Sequence, residues 1–254
     1  MKRLTILCTS GAIIEQPDSL RLLIRDFAAI KGAKLLVHGG GEMADTFARK
    51  MGIKPKTAKD GGIIISNAMI DVLTMVHGGL INKRLVALLQ RVGMNAVGLT
   101  GADMNLLVAS RRNAAHGWKG EVKKVNTPLL QQLLDGHVVP VLAPIAYDTN
   151  AQAHYLDAEE IARVVARVLS LTWEISIIYL TSRHGVLMNE SDPDSVIASL
   201  NRSRYANLKE MGIIAAAGAA LVESAFASID QGVKSVYITS VDRLGTLDQG
   251  TKIS

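Results

Sequence analysis

A single cysteine, Cys8, is all that this chain of 254 residues carries, so no disulfide can close within it. No CxxC spacing or Cys/His cluster offers a metal site either. Aromatic residues are also scarce, at 4%. The net charge of +5 and the isoelectric point near 9.3 suit anionic small molecules. The basic residues are scattered, however, without the interleaved aromatics of a nucleic-acid face, so no nucleic-acid partner is expected. No uninterrupted apolar run reaches about 18 residues, and residues 1–7 lack the apolar core of a signal peptide. No membrane partner is expected, and the cytoplasm is the expected compartment. What is present, 48% hydrophobic and 20% charged residues, suffices for a full core built as one broad domain or two lobes.

The stretch that organises the rest is residues 34–41, KLLVHGGG, where a buried strand runs into three glycines and then a helix-forming segment, EMADTFARK. Without a Cβ, Gly39, Gly40 and Gly41 can take positive φ and bring a ligand close to their N–H groups, and the helix N-terminus adds partial positive charge. An anionic group is expected against them. The alternative is a tight strand-to-helix turn of any α/β protein.

Around this stretch the patterns alternate between strand and helix. Residues 4–8 read as a buried first strand, and Ser19 as the cap of a helix whose Leu20, Leu23, Ile24, Phe27 and Ile30 share a face before Gly32 stops it. Asn67 is the expected cap of a long helix to Arg91, with a kink or close crossing at Gly78 and Gly79. Residues 106–125 read as an exposed hairpin or flap. Further strands are expected at 96–99, 138–142, 176–180, 235–239 and 250–253, and helices at 129–134, 156–169 and 218–230. Parallel βαβ units place ligands beyond the carboxyl ends of strands, where residues 8–11, 39–41 and 181–185 fall.

In order along the chain, VHGGG (37–41), LTMVHGGLINK (73–83), AVGLTGAD (96–103), VVPVLAPI (138–145), LDAEEIA (156–162), GVL (185–187) and GTKI (250–253) resemble the N-acetylglutamate kinases of the amino-acid kinase family. The resemblance implies an α/β fold, a three-layer αβα sandwich with a mainly parallel central sheet. It implies an N-terminal lobe, 1–172, holding the acylated amino acid over the glycine turn and making dimer contacts. A C-terminal lobe, 173–254, would hold ATP and Mg, and a homodimer is implied.

Phosphoryl transfer asks for positive charge around the moving phosphate. Kinases that this chain resembles supply it with a lysine in a KxGG turn and another in a GGMxxK segment, and the matching positions here are Cys8 and Leu221. Thr9, Ser10, Gly11, Ser182, Ala216 and Ala217 match the nucleotide-site positions. The arginine of the RxTD segment matches Ile63, with Ser66 at its acid, and the aspartate of NxNAD matches Glu159. The resemblance therefore implies a scaffold whose site was changed as a unit, in a paralogue with a new role or by deliberate rebuilding.

The expected function is an acetylglutamate kinase-like scaffold that is not an active kinase, requires neither ATP nor Mg, and either binds another small molecule or runs a proton transfer. Two alternatives stand beside it, an active acylglutamate 5-phosphotransferase of arginine biosynthesis and a ligand-binding or regulatory pseudokinase. The expected pocket is an apolar cavity with a few polar groups, lined by Cys8, Thr9, Ser10, Ile63, Ile65, His154, Tyr155, Asp157, Glu159, Ser182 and Leu221. In it Glu159 is a candidate general base or a helix-capping acid, and His154 a candidate base or an exposed loop histidine. Cys8 is a candidate nucleophile or a small core residue, and His38 packs structurally.

Overall fold

The computed structural model describes residues 2–214 and 216–254, with the backbone alone for Ala216 and Ala217. Strand β1 (Lys2–Thr9) alternates its side chains between two layers: Leu4, Ile6 and Cys8 join one core and Leu7 the other. A short helix α1 (Gly11–Glu15) and a longer α2 (Pro17–Ala29) lead to β2 (Ala33–His38), which runs parallel to β1 from Leu4↔Ala33 to Thr9↔His38. Helix α2 begins at Pro17 behind Gln16, not behind Ser19. Proline needs no hydrogen-bond acceptor for its nitrogen and has its φ preset, so it starts the helix earlier and leaves Ser19 inside the first turn. Leu20, Leu23, Ile24 and Phe27 form the buried face, and Gly32 at φ 85° ends the connection.

After α3 (Glu42–Lys50), a two-stranded hairpin pairs β3 (Lys56–Thr57) with β4 (Ile63–Ile64). A continuous helical stretch follows: α4 (Asn67–Leu73), a π-helical turn (Thr74–Ile81) and α5 (Asn82–Arg91). The cap is Ser66, whose hydroxyl accepts from Met69 N at 3.2 Å, and Asn67 is the first helical residue. Instead of a kink, the glycine pair lies in the wide π turn. A Cβ on Gly78 would stand 3.1 Å from the Thr100 methyl, so this glycine permits a close crossing, while Gly79 has nothing within 4 Å. By length and composition Asn67–Arg91 could cross a membrane, but Val72, Leu85 and Leu89 are fully buried in the core, as in the core helix of a compact domain.

The remaining strands are β5 (Ala96–Leu99), β6 (Leu107–Arg111), β7 (Gly120–Val125), β8 (Val139–Leu142), β9 (Ile145–Tyr147), β10 (Ala153–Tyr155), β11 (Trp173–Thr181), β12 (Ser199–Leu200), β13 (Ser235–Ser240) and β14 (Thr251–Ile253). The helices among them are α6 (Thr127–Asp135), α7 (Ala158–Leu169), α8 (Arg202–Glu210) and α9 (Ala216–Asp230). Eight strands form one sheet in the order β12-β14-β13-β11-β1-β2-β8-β5, parallel except between β13 and β14. Residues of α6, α7 and α9 cover one face and those of α2, α4 and α5 the other, which makes three layers. The sheet runs without a break from the first half of the chain into the second through β1 and β11, in register over eight pairs.

A second sheet, β10-β9-β6-β7, contains the expected hairpin of residues 106–125. It is anchored rather than a free flap, because Leu107 and Ala109 are buried and Val108 pairs with Tyr147 of β9.

Candidate functional site

At the glycine turn three backbone segments meet. Gly39 N donates to Thr9 O at 2.8 Å, and a Cβ on Gly11 would stand 1.9 Å from Gly41 N. One on Gly40 would strike the His77 ring, and one on Gly41 would lie 2.4 Å from Glu15 Oε1. None of the three turn glycines has positive φ, so glycine is required here by close approach, not by backbone conformation. The expected anion is the protein's own: Glu15 Oε1 accepts from Met43 N, in the first turn of α3, at 2.7 Å. Thr9, Ser10 and Gly11 thus belong to this junction, with Thr9 buried and its hydroxyl directed to Ser10 O at 3.4 Å.

Two buried histidines stand behind the turn. His38 Nδ1 donates to Gly39 O at 3.1 Å, and its Nε2 accepts from Asn82 Nδ2 at 3.3 Å, a tautomer fixed by these partners. Burial pushes His38 down to about 4. His77 has no partner at either ring nitrogen among the described residues, and burial, helped by His38, pushes it down to about 3. Its ring lies 5.5 Å from that of Tyr155.

The second junction is the start of α7. Its N-cap residue, Asp157, does not cap the helix but turns to the β6–β7 hairpin, accepting from Arg112 at 2.9 Å and meeting Lys119 Nζ at 3.0 Å. Glu160 pairs with the same guanidinium and accepts from Val122 N at 3.0 Å. The hairpin is thereby tied to α7 by charge-assisted bonds. Beside it opens a cleft of about 710 Å³ between the hairpin, α7 and α9, lined by Arg112, Glu121, Asp157, Glu159, Glu160, Arg163, Ala220, Leu221 and Ser224. The expected cavity was apolar; this one is strongly charged, because the hairpin brings in basic groups that no local pattern announces.

Glu159 lines this cleft. Crowding by protein raises its carboxyl above the ordinary range, Asp157 adds to the rise and Lys119 opposes it; the residue is exposed, so water screens it. Cys8 lies beneath, 2% exposed, its thiol pushed well above the usual range by burial and then by Glu159. It is a neutral core thiol and no nucleophile in this setting. Tyr179 is its partner in β11, and the Tyr179 hydroxyl has no bond of good geometry, although Ser224 and Ser228 of α9 stand beside it. Burial raises the Tyr155 phenol, and the carboxylates of Asp157, Glu159 and Asp45 raise it further.

His154 is neither an exposed loop residue nor part of the cleft. It sits in β10 at 1% exposure, with Nε2 3.3 Å from Asp148 Oδ2 and its ring edge-on to Trp118. Ile63 is 60% exposed on β4 and lies away from the cleft lining, and Ile65 is buried. Ser182 joins Leu221 in a separate cavity of about 260 Å³ at the carboxyl ends of β11 and β13, with Thr181, Arg183, Gly185 and Glu190 among its walls. Leu221 lines both cavities. The side chains of Ala216 and Ala217 lie outside the described residues. Among those residues no three His, Cys, Asp or Glu side chains cluster as metal ligands.

The sequence profile of the amino acid kinase family matches residues 3–240. The chain belongs to the amino acid kinase family. Acetylglutamate kinase of Parabacteroides distasonis is 40% identical over 256 residues, covering 100% of both chains, and that of Bacteroides fragilis is 38% identical over 255 residues, covering 99% of this chain and 97% of the relative. Carbamate kinase from Giardia lamblia superposes with a TM-score of 0.70 at 15% identity, covering 99% and 98% of the two chains. N-acetylglutamate synthase from Neisseria gonorrhoeae reaches 0.82 at 20% identity, covering 99% of this chain and 59% of that one. The three-layer α/β fold with its mainly parallel sheet is thus the amino-acid kinase fold, and the scaffold is acetylglutamate kinase-like.

Several groups in or beside this family member's cleft escaped the sequence reading. Arg163 stands four residues after Glu159 on α7, a spacing that puts both on one helix face, and could have been found. Arg112 and Lys119 could not, since 45 residues separate Arg112 from the Asp157 it grips.

Proposed function

We propose that this member of the amino acid kinase family binds a small molecule in the Glu159 cleft and does not transfer phosphate. The observation that carries this reading is the charge at the two cavities that share Leu221. Where a polyphosphate would need several cations, the wall offers the Leu221 side chain, the carboxylate of Glu159 and a single guanidinium without an ion pair among the described residues, Arg163, and Arg183 in the smaller cavity is already paired with Glu190 at 2.5 Å. Arg112 is likewise engaged by Asp157 and Glu160. These residues do not fit a Mg-bound triphosphate, so no ATP or Mg is required, and no step is derived through them.

A carboxylate with a raised pKa is also a competent general base, so proton transfer at Glu159 remains within this reading. Its substrate would be polar, since the cleft is charged rather than apolar. The whole-chain identity of 40% to an acetylglutamate kinase supports the second reading, an active acylglutamate kinase of arginine biosynthesis. A homodimer in the cytoplasm belongs to both; Met75 and Leu80, exposed on the long helix, suit a subunit contact.

Calorimetric titration with Mg-ATP and a hydroxylamine trap for acyl phosphate test the choice. No heat of binding and no hydroxamate from N-acetylglutamate are expected. Micromolar ATP binding with acylglutamyl phosphate formation would make the second reading the correct one.

A further inference from the structure

Between α2 and α5, in the layer on the other side of the main sheet from α7 and α9, runs a groove of about 540 Å³ that is separate from both cavities at Leu221. Its floor is apolar. Leu20, Ile24 and Ala28 come from α2 at the spacing of one helix face, and Leu88 and Val92 come from α5 and its C-cap. Val92 is 43% exposed, so part of this stripe meets solvent. Every charged residue of the lining is an arginine: Arg21 and Arg25 on α2, Arg84 and Arg91 on α5. The first two are four residues apart and the second two are seven apart, so each pair shares one helix face. Arg21 pairs with Asp18 and Arg25 with Asp26, but both arginine side chains are largely exposed, where ion pairs contribute little, and neither aspartate lines the groove. Among the described residues Arg84 and Arg91 have no ion-pair partner within 4 Å.

We propose that this groove docks an acidic amphipathic helix of a partner protein, with the apolar stripe of that helix on Leu20, Ile24 and Leu88 and its carboxylates on the arginines of both walls. Four cations without an acid among them select a partner of negative charge. The apolar floor selects one that also carries an apolar stripe, which a nucleic-acid backbone lacks. Length selects a helix over a small molecule: from Pro17 to Ala28 the α2 wall extends about 16 Å, roughly three helical turns. A single acid head group would engage one or two of the four arginines. Carboxylates at i, i+4 and i+7 of a docked helix repeat at the spacing of the arginines themselves, and each guanidinium can take a carboxylate with two parallel N–H bonds. Because the arginines are exposed, the attraction is screened by salt. The groove and the Glu159 cleft lie in different layers, so docking here stands whatever occupies the cleft.

Fluorescence anisotropy of the full chain with three labelled peptides is the test. Each peptide is a helix of about 18 residues with leucines along one face, and the positions flanking that face are glutamate in the first, glutamine in the second and lysine in the third. The glutamate peptide binds with a Kd below about 100 μM at low salt and loses at least about ten-fold in affinity between about 0.05 M and about 0.3 M salt. The glutamine and lysine peptides bind at least about ten-fold more weakly. Arg84→Glu combined with Arg91→Glu weakens the glutamate peptide by at least about ten-fold and strengthens the lysine peptide, and Leu88→Asp weakens the glutamate peptide. Lys124→Glu, at an exposed position of β7, changes neither. The proposal is overturned if the lysine peptide binds as tightly as the glutamate peptide, if no peptide binds at millimolar concentration, or if the preference survives the double substitution in a variant with the parent circular dichroism spectrum. Phosphatidylglycerol vesicles that bind where the glutamate peptide does not would make the groove a membrane face, and a changed particle mass in the double variant by light scattering would make it a contact between copies; either result overturns the proposal as well. The three peptides on the unmodified chain decide the matter even if a variant fails to fold.

Discussion

The glycine turn and the Glu159 cleft differ in where their charged groups find partners. At the turn, Gly39 N is bonded to Thr9 O, Met43 N to Glu15, and both nitrogens of His38 to Gly39 and Asn82. At the cleft, Glu159 and Arg163 line the opening without ion pairs among the described residues. The turn, with the plainest motif in the chain, answers Gly39 N and Met43 N from within the protein, although His77 behind it has no partner at either ring nitrogen among the described residues. The cleft, with hardly any motif, is where charge remains for something else. A glycine motif records that backbones meet closely; it does not record whether a ligand or the protein's own carboxylate fills the space.

The difference can be broken at the turn most forcefully with acid. His38 and His77 are held neutral in the fold, at about 4 and about 3, so unfolding releases imidazoles that take up protons below their ordinary value of about 6.5. Stability is full above that pH and falls as pH drops toward 4 for His38 and 3 for His77, by up to about 1.4 kcal/mol per pH unit for each histidine. Urea midpoints at pH 7.5, 5.5 and 4.5 measure it, and a midpoint that does not move over this range contradicts the buried neutral assignment.

Next in size is Gly11→Ala. Its methyl would stand 1.9 Å from Gly41 N, a backbone atom, so the junction has to shift at a cost at or above the usual ~1–3 kcal/mol of overpacking. Thermal unfolding of this variant should fall well below that of Gly79→Ala, whose methyl meets nothing within 4 Å. Equal unfolding temperatures would remove close approach as the reason for glycine.

At the cleft the corresponding cut is Arg112→Ala, which releases Asp157 and the half-buried Glu160. A loss of about 1–2 kcal/mol is expected, the low side of an unpaired buried charge because the pair is partly solvated. Hydrogen exchange in β6 and β7 should quicken as the hairpin loses its tie to α7. Unchanged exchange there would show that the small sheet holds the hairpin alone.

The smallest effect sharpens the comparison. Glu15→Gln removes the charge at the start of α3 but can keep the bond to Met43 N, whereas Glu15→Ala removes both; the expected losses are a few tenths and about 1 kcal/mol respectively. Denaturant midpoints of the two variants resolve the order. Should Glu15→Ala be neutral, Glu15 is not what satisfies the turn.

Much of the frame was legible from residue pattern. Buried strands such as residues 4–8 and 176–180 are short apolar runs between turn residues, and the stop at Gly32 follows from a residue that tolerates φ 85°. Where the pattern misled, a stronger local rule was present: Pro17 overrode Ser19 as a helix start, and Ser66 accepted the bond expected of Asn67. Helix α8 went unread because only Tyr205 and Leu208 of its nine residues are buried, too few to make a stripe. His154 read as a candidate base or an exposed loop residue because β10 is three residues long, and burial there comes from Trp118 and Gly120 packing against it across the small sheet.

By itself the sequence determined the order of strands and helices, the glycines at the turn, the acid at position 159 and the thiol and leucine at positions 8 and 221, since periodicity, turn chemistry and residue identity are properties of neighbours along the chain. Only the tertiary structure decided that Glu15 fills the turn, that Arg112 and Lys119 reach Asp157, that His154 is sealed away and that Glu159 and Arg163 face an open cleft. The reason is physical: a charge is compensated by whatever lies within a few ångströms, and for these groups that neighbour comes from a segment up to 45 residues away, brought there by the packing of the hairpin against α7.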